Sequence, residues 1–143
     1  MKKAILTIAM TAALAAGATD ADLMVQGTGP TAYASNATTV RTSAFANIHT
    51  IESITLDSAT TIGGGLFSNC RALRYVSLGS LVDVTRLSGA FSGCVALEHV
   101  HLPLVQFSPG TLPGFPWGAP VGSRVAFHFA NITVDRTGTE VVE

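Results

Sequence analysis

The sequence predicts a repeat solenoid, mostly β with short helical or 3-10 turns, of about three to four coils between terminal caps. The first observation is a duplication: F-S-N-C-R-A-L-R-Y-V-S-L at residues 67–78 recurs as F-S-G-C-V-A-L-E-H-V-H-L at residues 91–102. The second is a weaker copy, F-A-N-I-H-T-I-E-S-I-T-L, at residues 45–56. Repetition at a fixed period of about 20 to 50 residues indicates stacked coils that share one core.

Length and charge narrow the possible classes of protein. The chain has 143 residues, which suits one domain. Charged residues make up only 12% of it, and the formal net charge is -1. Such a chain lacks the basic face that neutralises phosphates, so we expect no nucleic-acid partner.

The N-terminal residues 1–21 have the layout of a secretory signal peptide. Lys2 and Lys3 are followed by an uncharged apolar run, and Ala16-Gly17-Ala18 is a cleavage candidate of small residues. The alternative is an alanine-rich helix that stays on the protein as a cap or an oligomer contact. The run is too short and too rich in Ala and Thr for a stable membrane span in the mature form.

Residues 22–39 are predicted to form an N-terminal cap. They are polar and rich in turn-forming residues, although Met24 and Val25 suggest a short first strand. The open end of a solenoid needs a cover, because a bare coil leaves apolar side chains and strand edges in water. Tyr33 is the residue we expect to supply that cover.

Residues 40–112 are predicted to hold the repeats, whose matched apolar positions form columns. Three-residue spacings after each Phe suit a helical or 3-10 turn, and the final spacing of two suits a strand. The predicted core residues are Phe45, Phe67, Cys70, Leu73, Val76, Phe91, Cys94, Leu97 and Val100. Second strands are expected in the return segments, at residues 59–62, 81–84 and 104–107.

Residues 113–135 are predicted to form the C-terminal cap. Pro113 and Pro116 end the repeat pattern, because proline cannot donate the amide hydrogen bond of another turn. Residues 124–134 alternate in polarity on both sides of Ala130-Asn131, which predicts a hairpin. We expect Trp117 to pack over the last coil and residues 136–143 to form a flexible tail.

At these repeats the sequence resembles the leucine-rich repeat family of the BspA type. The tracts I-G-G-G-L-F-S-N-C-R-A-L-R-Y-V-S-L and L-S-G-A-F-S-G-C-V-A-L-E-H-V-H-L fit its unit closely, while the earliest copy carries Ile48 in the cysteine position. The resemblance implies a secreted or surface-exposed protein of bacteria or their phages, used for adhesion or ligand binding and not for catalysis. It transfers no functional residue, because the family motif consists of core positions.

Cys70 and Cys94 occupy one column in adjacent coils. Strands about 4.8 Å apart lie within the Cα separation that a disulfide tolerates, and an oxidising compartment would permit the bond. The alternative is a pair of buried thiols that fill small core positions. We favour the thiols, because parallel side chains in a ladder seldom present the dihedral angle of a disulfide.

Alternation along the strands places one set of side chains outside the core. These candidate ligand-binding residues are Ser53, Thr55, Tyr75, Ser77, His99 and His101. His99 and His101 are two residues apart on one strand, a spacing that suits a metal ion. The repeat places no third ligand beside them, and His49 and His128 have no visible partners. We therefore expect two solvated histidines, no metal, no cofactor and no catalytic residue.

These patterns favour a secreted or surface-displayed binding or adhesion module that is not an enzyme. Its outward sheet face would recognise a protein or glycan on a host or neighbouring cell. The alternative is a structural component of a phage virion or assembly whose N-terminal helix is retained. The sequence leaves the oligomeric state open.

Overall fold

The structure, a computed structural model, describes residues 31–142. The predicted signal peptide, residues 22–30 of the predicted cap, and the short strand expected at Met24 and Val25 lie outside the described residues. In the part that is described, no helix is long and apolar enough to cross a membrane.

Within residues 31–142, eight short strands build two sheets along the solenoid. They are β1 (Ala32–Ala34), β2 (Thr39–Val40), β3 (Ser53–Thr55), β4 (Thr61–Ile62), β5 (Tyr75–Ser77), β6 (His99–Leu102), β7 (Ala126–Phe129) and β8 (Thr133–Asp135). The main sheet has the order β1-β3-β5-β6-β7-β8 and is parallel except for the final antiparallel pair. A smaller parallel sheet joins β2 to β4. The predicted β-solenoid is confirmed, with about three coils.

The register of the main sheet reproduces the repeat alignment. Val76 lies opposite Ile54 on one side and Val100 on the other, and Val100 in turn lies opposite Phe127. A slip of one residue would turn this buried column outward, so burial of one face fixes the register. The same register places the alternate residues of every strand on the outer face.

One core runs through all the coils. Every core residue expected from the sequence is buried: Phe45, Phe67, Cys70, Leu73, Val76, Phe91, Cys94, Leu97 and Val100. Phe67 stacks on Phe45 and Phe91, with ring centroids 6.0 and 5.5 Å apart. Tyr33 meets Phe45 edge-on at 4.8 Å, so it covers the first coil as expected.

The turn after Phe67, like that after Phe91, is tight but not a continuous helix. The Cys70 amide donates to the Phe67 carbonyl at 3.1 Å, and the Leu73 amide donates to the Cys70 carbonyl at 3.2 Å. These are the three-residue hydrogen bonds of 3-10 geometry. Among the described residues, the only helix is the 3-10 turn Thr85–Leu87.

Only one of the three expected return strands forms. Residues 61–62 pair as β4, whereas residues 81–84 and 104–107 are not strands. Asp83 accepts hydrogen bonds from the Thr85 amide and hydroxyl, which starts the 3-10 turn there. Asn131 bonds both the amide and the carbonyl of Phe107, which satisfies backbone groups that a neighbouring strand would otherwise pair.

The C-terminal cap closes the stack with the expected hairpin. Strand β7 adds to β6 in parallel, and β8 returns antiparallel to it. Trp117 is fully buried, and its indole N–H donates to the Pro113 carbonyl at 2.8 Å. Residues 136–143, expected to form a flexible tail, are tied to the hairpin as far as Val141, whose amide donates to the Thr133 carbonyl at 2.9 Å.

Candidate functional site

The six candidate residues form two rows across the outer face of the main sheet. The first row holds Ser53, Tyr75 and His99, and the second holds Thr55, Ser77 and His101. Residues in a row are direct cross-strand partners, so their side chains lie about 5 Å apart. The structure therefore places all six on the same face of the sheet.

Ser77 differs from the other five because it is buried. Its exposed fraction is 7%, and its hydroxyl donates to Asp57 Oδ1 at 2.6 Å. The same carboxylate oxygen accepts the Gly79 amide at 2.9 Å. Ser77 thus helps to hold the chain after β3, and it offers little surface to a ligand.

A third histidine, which no repeat position predicts, joins His99 and His101, so the expectation that His128 has no partner is wrong. Strand β7 places His128 directly opposite His101. His99 Nδ1 lies 3.0 Å from His128 Nε2, so His128 does have a partner. The expectation failed because β7 belongs to the cap, where the repeat motif no longer marks which positions share a column.

Tyr75, His99, His101 and His128 form a ring cluster on three adjacent strands. The rings of His101 and His128 are stacked, with centroids 4.3 Å apart and planes 9° apart. Tyr75 lies 5.0 Å from His101, centroid to centroid, and His99 lies 5.2 Å from His128. His49 is exposed in an earlier coil and is not part of the cluster.

The surroundings of His101 favour its neutral form. Partial burial is the main factor that lowers the pKa of its imidazole, and the positive charges of His128 and His99 lower it further. His128 Nδ1 lies 3.2 Å from the Thr133 hydroxyl on β8. The lowered pKa keeps a lone pair of the His101 imidazole available at neutral pH.

One ion pair lies at the start of the strands that carry the cluster. Arg74, which precedes β5, places Nε and Nη2 each 3.1 Å from the carboxylate oxygens of Glu98, which precedes β6. The hydrogen bond from Arg74 lowers the pKa of the Glu98 carboxyl. Both side chains are exposed, so the pair adds little stability but gives the edge of the face a defined polar geometry.

Both cysteines are free, buried thiols, in line with the favoured interpretation. Cys70 Sγ donates to the Phe45 carbonyl at 3.0 Å, and Cys94 Sγ donates to the Phe67 carbonyl at 3.1 Å. Burial raises the pKa of Cys70 to about 11 and that of Cys94 to about 12. A reactive thiolate needs the opposite setting, exposed and electropositive, so these thiols serve the core.

Comparison with known proteins identifies the repeats. The model of the BspA type leucine-rich repeat region matches residues 31–108 in six copies, which is more than half of the chain. No significant match was found among curated proteins or among solved structures. The matched residues include the phenylalanine stack, both cysteines and strands β1 to β6. The chain therefore belongs to the BspA-type leucine-rich repeat family.

Proposed function

We propose that the chain is a non-catalytic binding module that recognises a protein or glycan on a host or neighbouring cell through the outer face of the main sheet. The observation that carries this proposal is the ring cluster, in which Tyr75 and three histidines share one surface. Its family supports a repeat module used for binding at surfaces. Parallel strands anchored in the core hold the backbone beneath these rings, so a ligand need not order that backbone.

The chemistry of the ring cluster suits an amphipathic ligand. Ring faces pack against apolar side chains or against the C–H face of a sugar, and the tyrosine hydroxyl and imidazole nitrogens supply hydrogen bonds. Thr55 and Ser53, both half-buried, extend the polar surface toward the first coil. With about three coils the face is small, so a single copy should bind weakly and gain affinity when several copies are displayed together.

The proposed location is secreted or on the bacterial cell surface. It rests on the layout of residues 1–21, which lie outside the described residues, and on the family. The alternative, a structural component of a phage virion, requires that the same segment is retained as an N-terminal helix. Mass spectrometry of the protein made in its native host tests the location: a mature start near Thr19 or Asp22 supports secretion, and an intact Met1 contradicts it.

Substitution of Tyr75 tests the binding face. The full chain, displayed in several copies, is screened on glycan arrays and on a panel of host surface proteins. For any ligand found, Tyr75→Ala should weaken binding about tenfold, which corresponds to ~1.4 kcal/mol. Val82→Ala is the matched control, because Val82 is 64% exposed but lies outside both sheets. A ligand that responds to Val82→Ala and not to Tyr75→Ala would place recognition elsewhere.

A further inference from the structure

We propose that His99, His101 and His128 form a binding site for one divalent transition-metal ion of the class of Zn²⁺, Ni²⁺ and Cu²⁺. The three side chains come from two adjacent parallel strands, β6 and β7. This site does not depend on the proposed recognition of a protein or glycan, because the metal ion would bind whether or not such a ligand exists.

The distances between the three imidazoles suit a single ion. One nitrogen of each ring can be chosen so that all three lie within 4.8 Å of one another. Nitrogens bound to one ion at ~2.0–2.1 Å are about 3 to 4.2 Å apart, depending on the angle between them. The rings of His101 and His128 are stacked, so their in-plane lone pairs are parallel, and one of these rings must turn before both nitrogens can point at one ion. Rotations about the side-chain bonds of His101 and of the exposed His99 can supply this change.

The strands beneath the site hold its geometry. Val100, between His99 and His101, is fully buried and pairs with Phe127, which is also fully buried. This pairing fixes His101 directly opposite His128. The residue opposite His99 is Ala126, whose methyl group leaves space for the His99 ring to lean toward His128. Ligands on packed strands lose little entropy when they bind an ion.

The hydrogen bonds around His128 suit a metal ligand. A tautomer protonated at Nδ1 donates to the Thr133 hydroxyl, 3.2 Å away, and presents Nε2 to His99 Nδ1. Histidines that bind metals commonly donate their second ring nitrogen in this way, which fixes the orientation of the ring. Without an ion, the 3.0 Å contact between His99 Nδ1 and His128 Nε2 is a hydrogen bond, which requires a proton on one of the two nitrogens. An ion between the nitrogens replaces that proton.

The donor set selects the class of ion. Three imidazole nitrogens suit Zn²⁺, Cu²⁺ and Ni²⁺, whereas Ca²⁺ and Mg²⁺ prefer oxygen ligands. Three protein ligands also leave at least one coordination position for water or for an oxygen atom of another molecule. We therefore expect that the three histidines do not bind Ca²⁺, even when the Ca²⁺ concentration is millimolar.

Isothermal titration of the full chain with Zn²⁺ and with Ni²⁺ tests the site. We expect saturable binding of one ion per chain and no saturable binding of Ca²⁺. His99→Gln and His101→Gln should each weaken the affinity at least tenfold. His49→Gln is the matched control and should leave the affinity unchanged, because His49 is exposed and lies outside the cluster. Far-UV circular dichroism checks that each variant is folded.

Thermal unfolding supplies a second measurement. An ion that binds the folded state raises the midpoint of thermal unfolding, so a given Zn²⁺ concentration should raise it more for the wild type and for His49→Gln than for His99→Gln. Absence of saturable binding to the folded wild type would overturn the proposal, as would equal losses in His49→Gln and His101→Gln. These outcomes are separate from the function test, because Tyr75→Ala removes no metal ligand.

Discussion

Each cysteine of the stack uses its thiol to connect two coils. Cys70 and Cys94 donate to the Phe45 and Phe67 carbonyls of the preceding coil, and the Phe67 carbonyl also accepts the Cys70 amide. The thiol thus satisfies a second lone pair on a buried oxygen while its sulfur fills the core. Ile48 occupies the same column with a hydrocarbon side chain, so filling the core with apolar volume matters more at this position than the thiol hydrogen bond.

Because burial raises the pKa of both thiols, they should make the fold sensitive to alkali. An unfolded cysteine ionises near pH ~8.5, whereas the folded thiols stay protonated up to about pH 11 and 12. Their contribution to stability is therefore complete below pH ~8.5 and is lost as pH rises toward the folded pKa values. Between pH ~8.5 and the pKa of the folded thiol, ionisation of each thiol should lower the free energy of unfolding by up to ~1.4 kcal/mol per pH unit.

The double variant Cys70→Val, Cys94→Val tests this effect. Its free energy of unfolding, measured with denaturant at several pH values, should fall less steeply between pH ~8.5 and ~10.5 than that of the wild type. Ile48→Val is the control, because it changes the same column without touching a thiol and should keep the wild-type slope. Equal slopes for the wild type and the double variant would show that the thiols do not cause the loss.

At the level of residues, prediction from sequence succeeded where the repeat fixed the environment. The cysteine column was identified because two copies align over twelve positions. Alternation predicts that Ser77 lies on the outer face but not that it is buried there, because its burial depends on Asp57, a residue beyond the strand. His128 was missed because its position follows from how the cap adds to the sheet, and no motif encodes that addition.

Each repeat turn is bracketed by residues in the left-handed conformation. The residue two before each phenylalanine has positive φ, and so does the residue two after it; these positions are Ser43, Gly65 and Gly89, then Asn47, Asn69 and Gly93. Asparagine tolerates this conformation better than most residues, and Asn69 also donates to Asn47 Oδ1 at 3.0 Å. The chain therefore reverses direction on both sides of the buried ring in every coil.

Gly89→Ala measures the cost of this conformation by itself. Gly89 has φ +71°, and a methyl group there would meet no atom within 4 Å. We expect a loss of ~1–2 kcal/mol in the free energy of unfolding from backbone strain alone. Gly64→Ala is the control, since Gly64 has equal space and no positive φ. It should be neutral or stabilising by up to ~1 kcal/mol. Equal losses in both variants would contradict a conformational cause.

The boundaries of the elements were only partly predictable. Alternation of apolar residues located β3, β5 and β6 because one face of each is buried. The return segments carry the same apolar spacing, but side chains compete for their backbone groups. Asp83 acts locally, because it accepts hydrogen bonds from Thr85 two residues later, where the 3-10 turn begins. Asn131 lies 24 residues from Phe107, so its bonds to the Phe107 backbone depend on which residues are neighbours in space, and spacing along the chain does not show that.

The whole molecule depends on one continuous stack of rings from Tyr33 to the C-terminal cap. Phe127 extends the phenylalanine stack edge-on at 6.2 Å from Phe91, and Trp117 lies 5.6 Å from Phe127. The number of coils and their shared core were predictable, since repetition along the chain implies repetition in space. The sequence predicts that β7 and β8 form a hairpin. It does not predict that β7 extends the outer face of the main sheet.

A stack this short should unfold as one unit, although longer repeat arrays can melt in parts. Phe45→Ala removes a buried ring from the first coil and should cost ~3–5 kcal/mol. Two signals follow denaturation: Trp117 fluorescence, which reports on the far end of the stack, and far-UV circular dichroism. If the coils are coupled, Phe45→Ala must lower the denaturation midpoint by the same amount in both signals. Val95→Ala, at a position 63% exposed, should shift neither signal. A Trp117 midpoint that stays at the wild-type value while the dichroism midpoint falls would mean that the first coil unfolds alone, and that the core is continuous in space without being cooperative.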